Sequence, residues 1–288
     1  MIEEKIKNGI VEMMERSAFR VPDDVLHALK KAAEEENGVA KSNLMAILRN
    51  LDEAGKLRLP ICQDTGTPTF FIELGESFPI KAGIYSLIAD AVREATKRVP
   101  LRPNSVNPWT YENPGDNTGR FVPVIHVDIV PGDKMKVVYV AKGGGSENVS
   151  QLFMLPPVAG LKGIKQAVIN AAYNAGTQPC PPVIIGVGVG GSADTAMKLA
   201  KKATLRPLNE VNPDENLRKM EEELKEKINS MGIGPMGLGG RTFALAVHID
   251  WAHKHPASLP VGVSMLCWAA RKSVAEFLPD GEFRILVP

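Results

Sequence analysis

Apolar residues recur at helical spacing three times in the first 57 positions. Ile2, Ile6, Ile10 and the pair Met13-Met14 form one stripe. Val25, Leu26, Leu29, Ala32 and Ala33 form a second, opened by Pro22-Asp23-Asp24 and closed by Asn37-Gly38. Leu44, Ile47, Leu48 and Leu51 form a third, which ends at Gly55. Steps of three and four put each set on one helix face, and the acid-then-glycine punctuation marks the ends. Nothing in these stripes carries chemistry; they read as cover for a core or a partner.

Past residue 57 the period alternates. Residues 69–74 read as a strand and 80–99 as a helix with Ile84, Leu87, Ile88, Ala91, Val92 and Ala95 inward. Residues 121–130 and 134–141 read as a hairpin around Pro131-Gly132-Asp133. A helix over 158–175, a strand over 183–189, a helix over 195–203, a charged helix over 215–230 with a solvated face, and a strand over 242–250 follow. The pattern predicts an α/β fold of mixed β-sheets flanked by helices, with a helical N-terminal cap. The expected organisation is a helical region over 1–57 and an α/β region over 58–288, both parts of one domain. Val124-Ile-His-Val-Asp-Ile129 is echoed by Ala246-Val-His-Ile-Asp-Trp251. The echo fits either a duplicated layer or shared strand composition.

Composition narrows the function classes. The 288 residues hold 34 Lys+Arg against 33 Asp+Glu, a net charge of +1, which gives no electrostatic case for nucleic acid or a membrane surface. Aromatics make up only 6% of the chain, too few for a base-stacking platform. No apolar run spans a bilayer, and the mixed-charge start Met1-Ile-Glu-Glu-Lys has no signal core, so the expected location is the cytoplasm. The three cysteines, Cys62, Cys180 and Cys267, are odd in number and isolated, a poor disulfide framework. They are either three buried small hydrophobes or a converging metal centre.

Candidate chemistry concentrates in Leu59-Pro-Ile-Cys-Gln-Asp-Thr-Gly-Thr67, where a thiol, an amide, an acid and hydroxyls share one loop between packed elements. Residues 100–119 form a long Pro- and Asn-rich loop. There Arg102, between Leu101 and Pro103, is either a solvated surface arginine or a rigid fork for a carboxylate. Gly143-Gly144-Gly145 after a strand permits close backbone approach. Cys180 sits in the stiff turn Gln178-Pro-Cys-Pro-Pro182. Gly186-Val-Gly-Val-Gly-Gly191 matches a dinucleotide pattern, although the acid expected beyond a second strand is missing. His253 and His255, with His248 nearby in sequence, lack an acid at ligand spacing, so a loop histidine acting on substrate is preferred over a metal site.

Taken in order, Ile61-Cys-Gln-Asp-Thr-Gly-Thr-Pro68, Leu101-Arg-Pro-Asn-Ser-Val-Asn-Pro108, Ala141-Lys-Gly-Gly-Gly-Ser-Glu-Asn148, Ile184-Ile-Gly-Val-Gly-Val-Gly-Gly191 and His253-Lys-His-Pro-Ala-Ser-Leu-Pro260 with Cys267 resemble class I, iron–sulfur fumarate hydratases. The closer likeness is to the α subunit of their two-subunit form, shared with L(+)-tartrate dehydratase. The resemblance covers nearly the whole chain. It implies a [4Fe-4S] cluster on Cys62, Cys180 and Cys267, with Gln63, Arg102, Gly143, Gly144 and Gly145 binding a dicarboxylate and Asp64 and His255 in catalytic roles. It implies reversible dehydration of (S)-malate to fumarate. It further implies a separate β subunit and a hetero-oligomer, because single-chain relatives continue into a second domain. The alternatives are the tartrate dehydratase α subunit and a nucleotide-binding oxidoreductase using Gly186 to Gly191.

Overall fold

A computed structural model describes residues 1–287. The elements run α1 (Ile2–Phe19), α2 (Asp23–Glu35), α3 (Gly38–Leu57), β1 (Thr67–Gly75), α4 (Ile84–Arg98), β2 (Val124–Val130), β3 (Met135–Lys142), α5 (Gly144–Asn148), β4 (Gln151–Leu155), α6 (Gly160–Ala175), β5 (Val183–Gly191), α7 (Ala193–Ala203), α8 (Glu215–Asn229), β6 (Ala244–Lys254), β7 (Leu259–Leu266), β8 (Lys272–Phe277) and β9 (Phe283–Val287). Helices and mixed sheets form the expected α/β fold, and the first 57 residues are helical as the stripes predict. No described helix is long and apolar enough to cross a membrane. The chain divides into two compact units. One comprises Met1–Pro22, Asn50–Gly144 and the segment from Ala269; the other comprises Asp23–Arg49 and Gly145–Trp268. The N-terminal helices are shared out: α1 belongs to the first unit and α2 to the second.

The first unit is built on a five-stranded sheet in the order β2-β1-β3-β8-β9. β1 and β2 are parallel, and the other pairs antiparallel. The expected hairpin of β2 with β3 does not form, because β1 lies between them. Phe70, Phe71, Ile72 and Leu74 bury both faces of β1, which suits a central strand. The turn after β2 wraps the end of β1: Lys134 O, Val130 O and Gly132 O accept from the N–H groups of Gly75, Glu76 and Ser77 at 2.8, 2.8 and 2.9 Å. Ile6, Ile10 and Met13 of α1 and Ile88 and Val92 of α4 pack with Phe70, Ile72, Val137 and Phe277 in one core.

The second unit has a four-stranded sheet in the order β4-β7-β5-β6. Ile164, Val168 and Ala171 of α6 and Leu224 and Ile228 of α8 share a core with Ile185, Val187, Val247, Val261 and Val263. α8 is not solvated all round. Glu221 is buried and its carboxylate accepts from Arg206, Asn212 and the backbone N–H of Ile249, at 2.5, 2.9 and 2.6 Å. Against the sheet's other face lies α7, whose Ala196 and Ala200 meet glycines.

This close approach accounts for the dinucleotide-like glycines. All of Gly186 to Gly191 lies within β5, not in a loop beyond it. A methyl group on Gly186 would fall 2.0 Å from the carbonyl oxygen of Ala200, and one on Gly188 2.1 Å from that of Ala196. The spacing serves helix packing. Gly186→Ala is therefore expected to lower the thermal midpoint, by an overpacking cost of about 3 kcal/mol. An unchanged midpoint would show that α7 does not need the gap.

The sequence echo has a topological counterpart. β2 and β6 each end their sheet, parallel to β1 and β5 respectively. β3 and β7 then return antiparallel on the far side of those same strands. The strand after each return is exchanged: β4 pairs with β7, and β8 pairs with β3.

Candidate active site

The loop between α3 and β1 is pinned just before Cys62. Ile61 is buried, its N–H donates to Ala18 O at 3.0 Å and its carbonyl accepts from Asn50 Nδ2 at 2.9 Å. Cys62 is half-buried, Gln63 exposed and Asp64 half-buried. The Asp64 carboxylate is held on both oxygens. Oδ1 accepts from Gly66 N at 2.9 Å and Asn104 Nδ2 at 3.3 Å, while Oδ2 accepts from Gly144 N at 2.7 Å. A side chain on Gly143 would crowd the same oxygen at 3.1 Å, so the expected close approach of this glycine run is to Asp64 itself. Three donors fix the acid's direction.

The long Pro/Asn loop is ordered by its polar residues. Thr65 Oγ1 accepts from Arg102 N at 3.0 Å and donates to Arg102 O at 3.3 Å. Buried Asn117 donates to Arg102 O at 3.0 Å and accepts from Asn104 N at 2.7 Å. The Arg102 backbone is clamped while its side chain is exposed, with no ion-pair partner among the described residues. That arrangement suits capture of an external carboxylate.

Arg271 completes this unit's site and carries no sequence signal beyond a basic residue soon after Cys267. It is 1% exposed. Its Nη1 donates to the backbone carbonyl of Asp64, and Nη2 donates to Ala141 O at 3.4 Å. Burial drives the pKa of neighbouring Tyr139 above the usual phenol range, against the opposing pull of the Arg271 cation.

In the second unit the Cys180 and Cys267 turns adjoin: Trp268 N donates to Cys180 O at 3.5 Å. Cys180 has a left-handed backbone, φ 53°, and its N–H donates to Thr177 O at 3.1 Å. Gly145 backs the same turn, since a methyl there would lie 2.7 Å from Gln178 O. All three cysteines are half-buried and none forms a disulfide. Half-buried thiols on short, tethered turns are the donor chemistry that an iron–sulfur cluster takes. Among the described residues no three His, Cys, Asp or Glu side chains are arranged around a single ion, and His248 is buried against Ala203 O at 3.1 Å, apart from a histidine metal site. Cubane ligands bind separate irons, which is a different arrangement from three ligands on one ion.

His255 does not join Cys180 and Cys267. It is exposed in the turn between β6 and β7, where its Nδ1 accepts from Ala257 N at 3.1 Å. β5 and β6 are parallel, with Val183 beside Ala244 and Gly191 beside Lys254. Cys180 therefore precedes the start of β5 and His255 lies past its far end, roughly 25 Å away at strand rise. The unit brings two cysteines together and leaves the histidine at the opposite edge.

A family profile described as "Fumarate hydratase (Fumerase)" matches residues 7–276. A Methanocaldococcus jannaschii protein, provisionally named L(+)-tartrate dehydratase subunit alpha, is 42% identical over 96% of this chain and 99% of its own length. L(+)-tartrate dehydratase subunit alpha of Escherichia coli UTI89 is 37% identical over 93% of this chain and 89% of its own. That of Escherichia coli O157:H7 is 38% identical over 88% and 84%.

Proposed function

Since the chain belongs to the fumarate hydratase (Fumerase) family of hydro-lyases, we propose that it is the cluster-bearing α subunit of an iron–sulfur enzyme that interconverts (S)-malate and fumarate. Cys62, Cys180 and Cys267 would hold a [4Fe-4S] cluster. Bound there, the cluster would supply a Lewis-acidic iron with an open position. The observation that carries the reading is the Asp64 carboxylate, fixed by Gly66, Asn104 and Gly144 two residues after Cys62. Dehydration removes a weakly acidic C–H proton beside a carboxylate and expels hydroxide. Arg102 would hold a substrate carboxylate in its guanidinium fork, Gln63 would hydrogen-bond the same ligand, and Gly143, Gly144 and Gly145 would line it beside Asp64, which Gly144 N already holds. Asp64 would take the proton or orient the group that takes it. His255, distant from the cysteine turns of its own unit, would act on substrate only from another surface of the assembly. A separate β subunit would complete the site in a hetero-oligomer, in line with relatives named as α subunits.

L(+)-tartrate is the second reading, favoured by those relatives' names. The test is anaerobic reconstitution with iron and sulfide, with and without a co-expressed β subunit, for wild type and Cys180→Ser. The expected result is about four irons per wild-type chain, an unstable or smaller centre in the variant, and turnover only with the β subunit. Malate and tartrate are then compared on the loaded enzyme. Iron uptake indifferent to Cys180→Ser would remove the cluster assignment, and preferential dehydration of tartrate would replace the malate assignment.

A further inference from the structure

Asn117 lies on the Pro/Asn-rich loop, buried, and every polar atom of its side chain is engaged. Its Oδ1 accepts from Asn104 N at 2.7 Å, and its Nδ2 donates to Arg102 O at 3.0 Å and to Thr96 Oγ1, in the last turn of α4, at 3.1 Å. The Thr96 hydroxyl in turn has Val92 O at 2.8 Å and Asp116 O at 3.1 Å as acceptors. The Asp116 carboxylate accepts from Thr118 N and Oγ1 at 2.9 and 2.7 Å and pairs with Arg93 of α4 at 3.4 Å. The backbone at Asn117 is left-handed, φ 60°, a conformation that asparagine tolerates better than most residues. One buried amide therefore ties the end of α4 to the two residues that flank Pro103.

We propose, on the roles given above to Asp64 and Arg102, that Asn117 is a positioning residue for both, setting the carboxylate fork and the acid from one point fixed on α4. Toward Arg102 the path is direct. The Arg102 carbonyl accepts from Asn117, Pro103 stiffens the chain after it, and the exposed guanidinium is the free end. Toward Asp64 there is one intermediate. Asn117 holds Asn104 N, and Asn104 Nδ2 lies 3.3 Å from Asp64 Oδ1, 3.3 Å from Thr65 Oγ1 and 3.4 Å from Gly66 O. Thr65 Oγ1 closes the ring by accepting from Arg102 N at 3.0 Å. A dicarboxylate that meets the fork and the acid together needs their spacing held, and the Asn117 bonds run to the supports of both. Asn117 itself acts only through these neighbours.

The test compares two variants in the loaded enzyme with its β subunit. Asn117→Gly keeps the left-handed backbone and removes all three bonds. Asn117→Asp keeps an acceptor for Asn104 N but turns a carboxylate oxygen toward Arg102 O. Asn117→Gly is expected to lower kcat/KM by about a hundredfold, through kcat and KM together. Asn117→Asp is expected to raise KM by about tenfold with kcat nearly kept. A second readout is amide exchange at Gly144, whose N–H Asp64 accepts and Asn117 does not touch. Followed by mass spectrometry, it should quicken in Asn117→Gly and stay as in wild type in Asn117→Asp. If Asn117→Gly does not fold, Asn117→Asp decides, and a variant without the split between KM and kcat overturns the proposal. Asp64→Asn and Arg102→Ala are run alongside. If those two keep wild-type turnover, the roles of Asp64 and Arg102 fall and the positioning falls with them. If they are impaired while both Asn117 variants keep wild-type kcat and KM, or lose only melting midpoint, the roles stand and the positioning alone is overturned.

Discussion

Asp64→Asn is expected to cut turnover by about a hundred- to ten-thousand-fold, the range for loss of a positioned acid–base group. Two effects combine. The amide cannot accept a proton at working pH, and it cannot reproduce the local bonds either. Asp64 accepts on Oδ1 from Gly66 N and Asn104, and on Oδ2 from Gly144 N. Asparagine offers one acceptor and one donor, so in either orientation an NH2 group confronts an N–H. The mismatch leaves a backbone donor unsatisfied and costs about 1–3 kcal/mol in loop stability. The measurement is kcat per bound iron, which separates chemistry from the loss of properly loaded protein, alongside the melting midpoint. A variant with wild-type kcat per iron would remove Asp64 from the reaction.

The helical N-terminus and the first strand are legible because one stripe of apolar residues specifies each element locally. Pairing is less so. The turn at Pro131-Gly132-Asp133 is real, yet the strands it joins are separated by β1, whose claim to the centre rests on burial of both its faces. β4 and β8 go unread because they are short and their partners lie far away in sequence, and β9 because it is short and adds only to β8. The glycine pattern in β5 misleads since glycine permits close approach to a phosphate and to a helix backbone alike, and only the position of α7 separates the two.

At the candidate site, the close backbone approach that three glycines after a strand permit is legible from residue type, while its partner, the Asp64 carboxylate, is not. Two acids show the opposite failure. Glu221 sits in the charged helix read as having a solvated face, and Glu36, just past the end of α2, carries no signal of its own. Both are buried; Glu36 accepts from Arg241 N at 2.7 Å and Thr242 N at 2.6 Å, at the start of the segment that leads into β6. Periodicity reports which face an apolar residue takes; it carries no record of the backbone donors that make burial of a charge tolerable.

Arg271→Ala is expected to destabilise the first unit by about 3–5 kcal/mol, the scale for removing a large buried side chain that serves buried polar partners. The guanidinium bridges the carbonyls of Asp64 and Ala141, one at the start of the candidate site and the other near the end of β3. Arg271 also accepts at its own carbonyl from Ala141 N, at 3.0 Å, so the side chain and backbone together fasten one loop to one strand. Alanine leaves a cavity and strips both carbonyls of a donor. Methionine fills much of the volume and no longer buries a charge whose Nε finds no partner among the described residues. Because desolvating a cation offsets much of what its bonds contribute, Arg271→Met is expected to lose less stability than Arg271→Ala. Turnover should not follow stability. Both variants release the Asp64 carbonyl, so both should lose kcat, whereas Arg271→Lys keeps a donor for only part of the bridge and should recover part of each property. Urea midpoints and kcat per iron across the three variants test this. If Arg271→Met restored full turnover, Arg271 would be a packing residue alone, and the orientation of Asp64 would have to come from Gly66, Asn104 and Gly144.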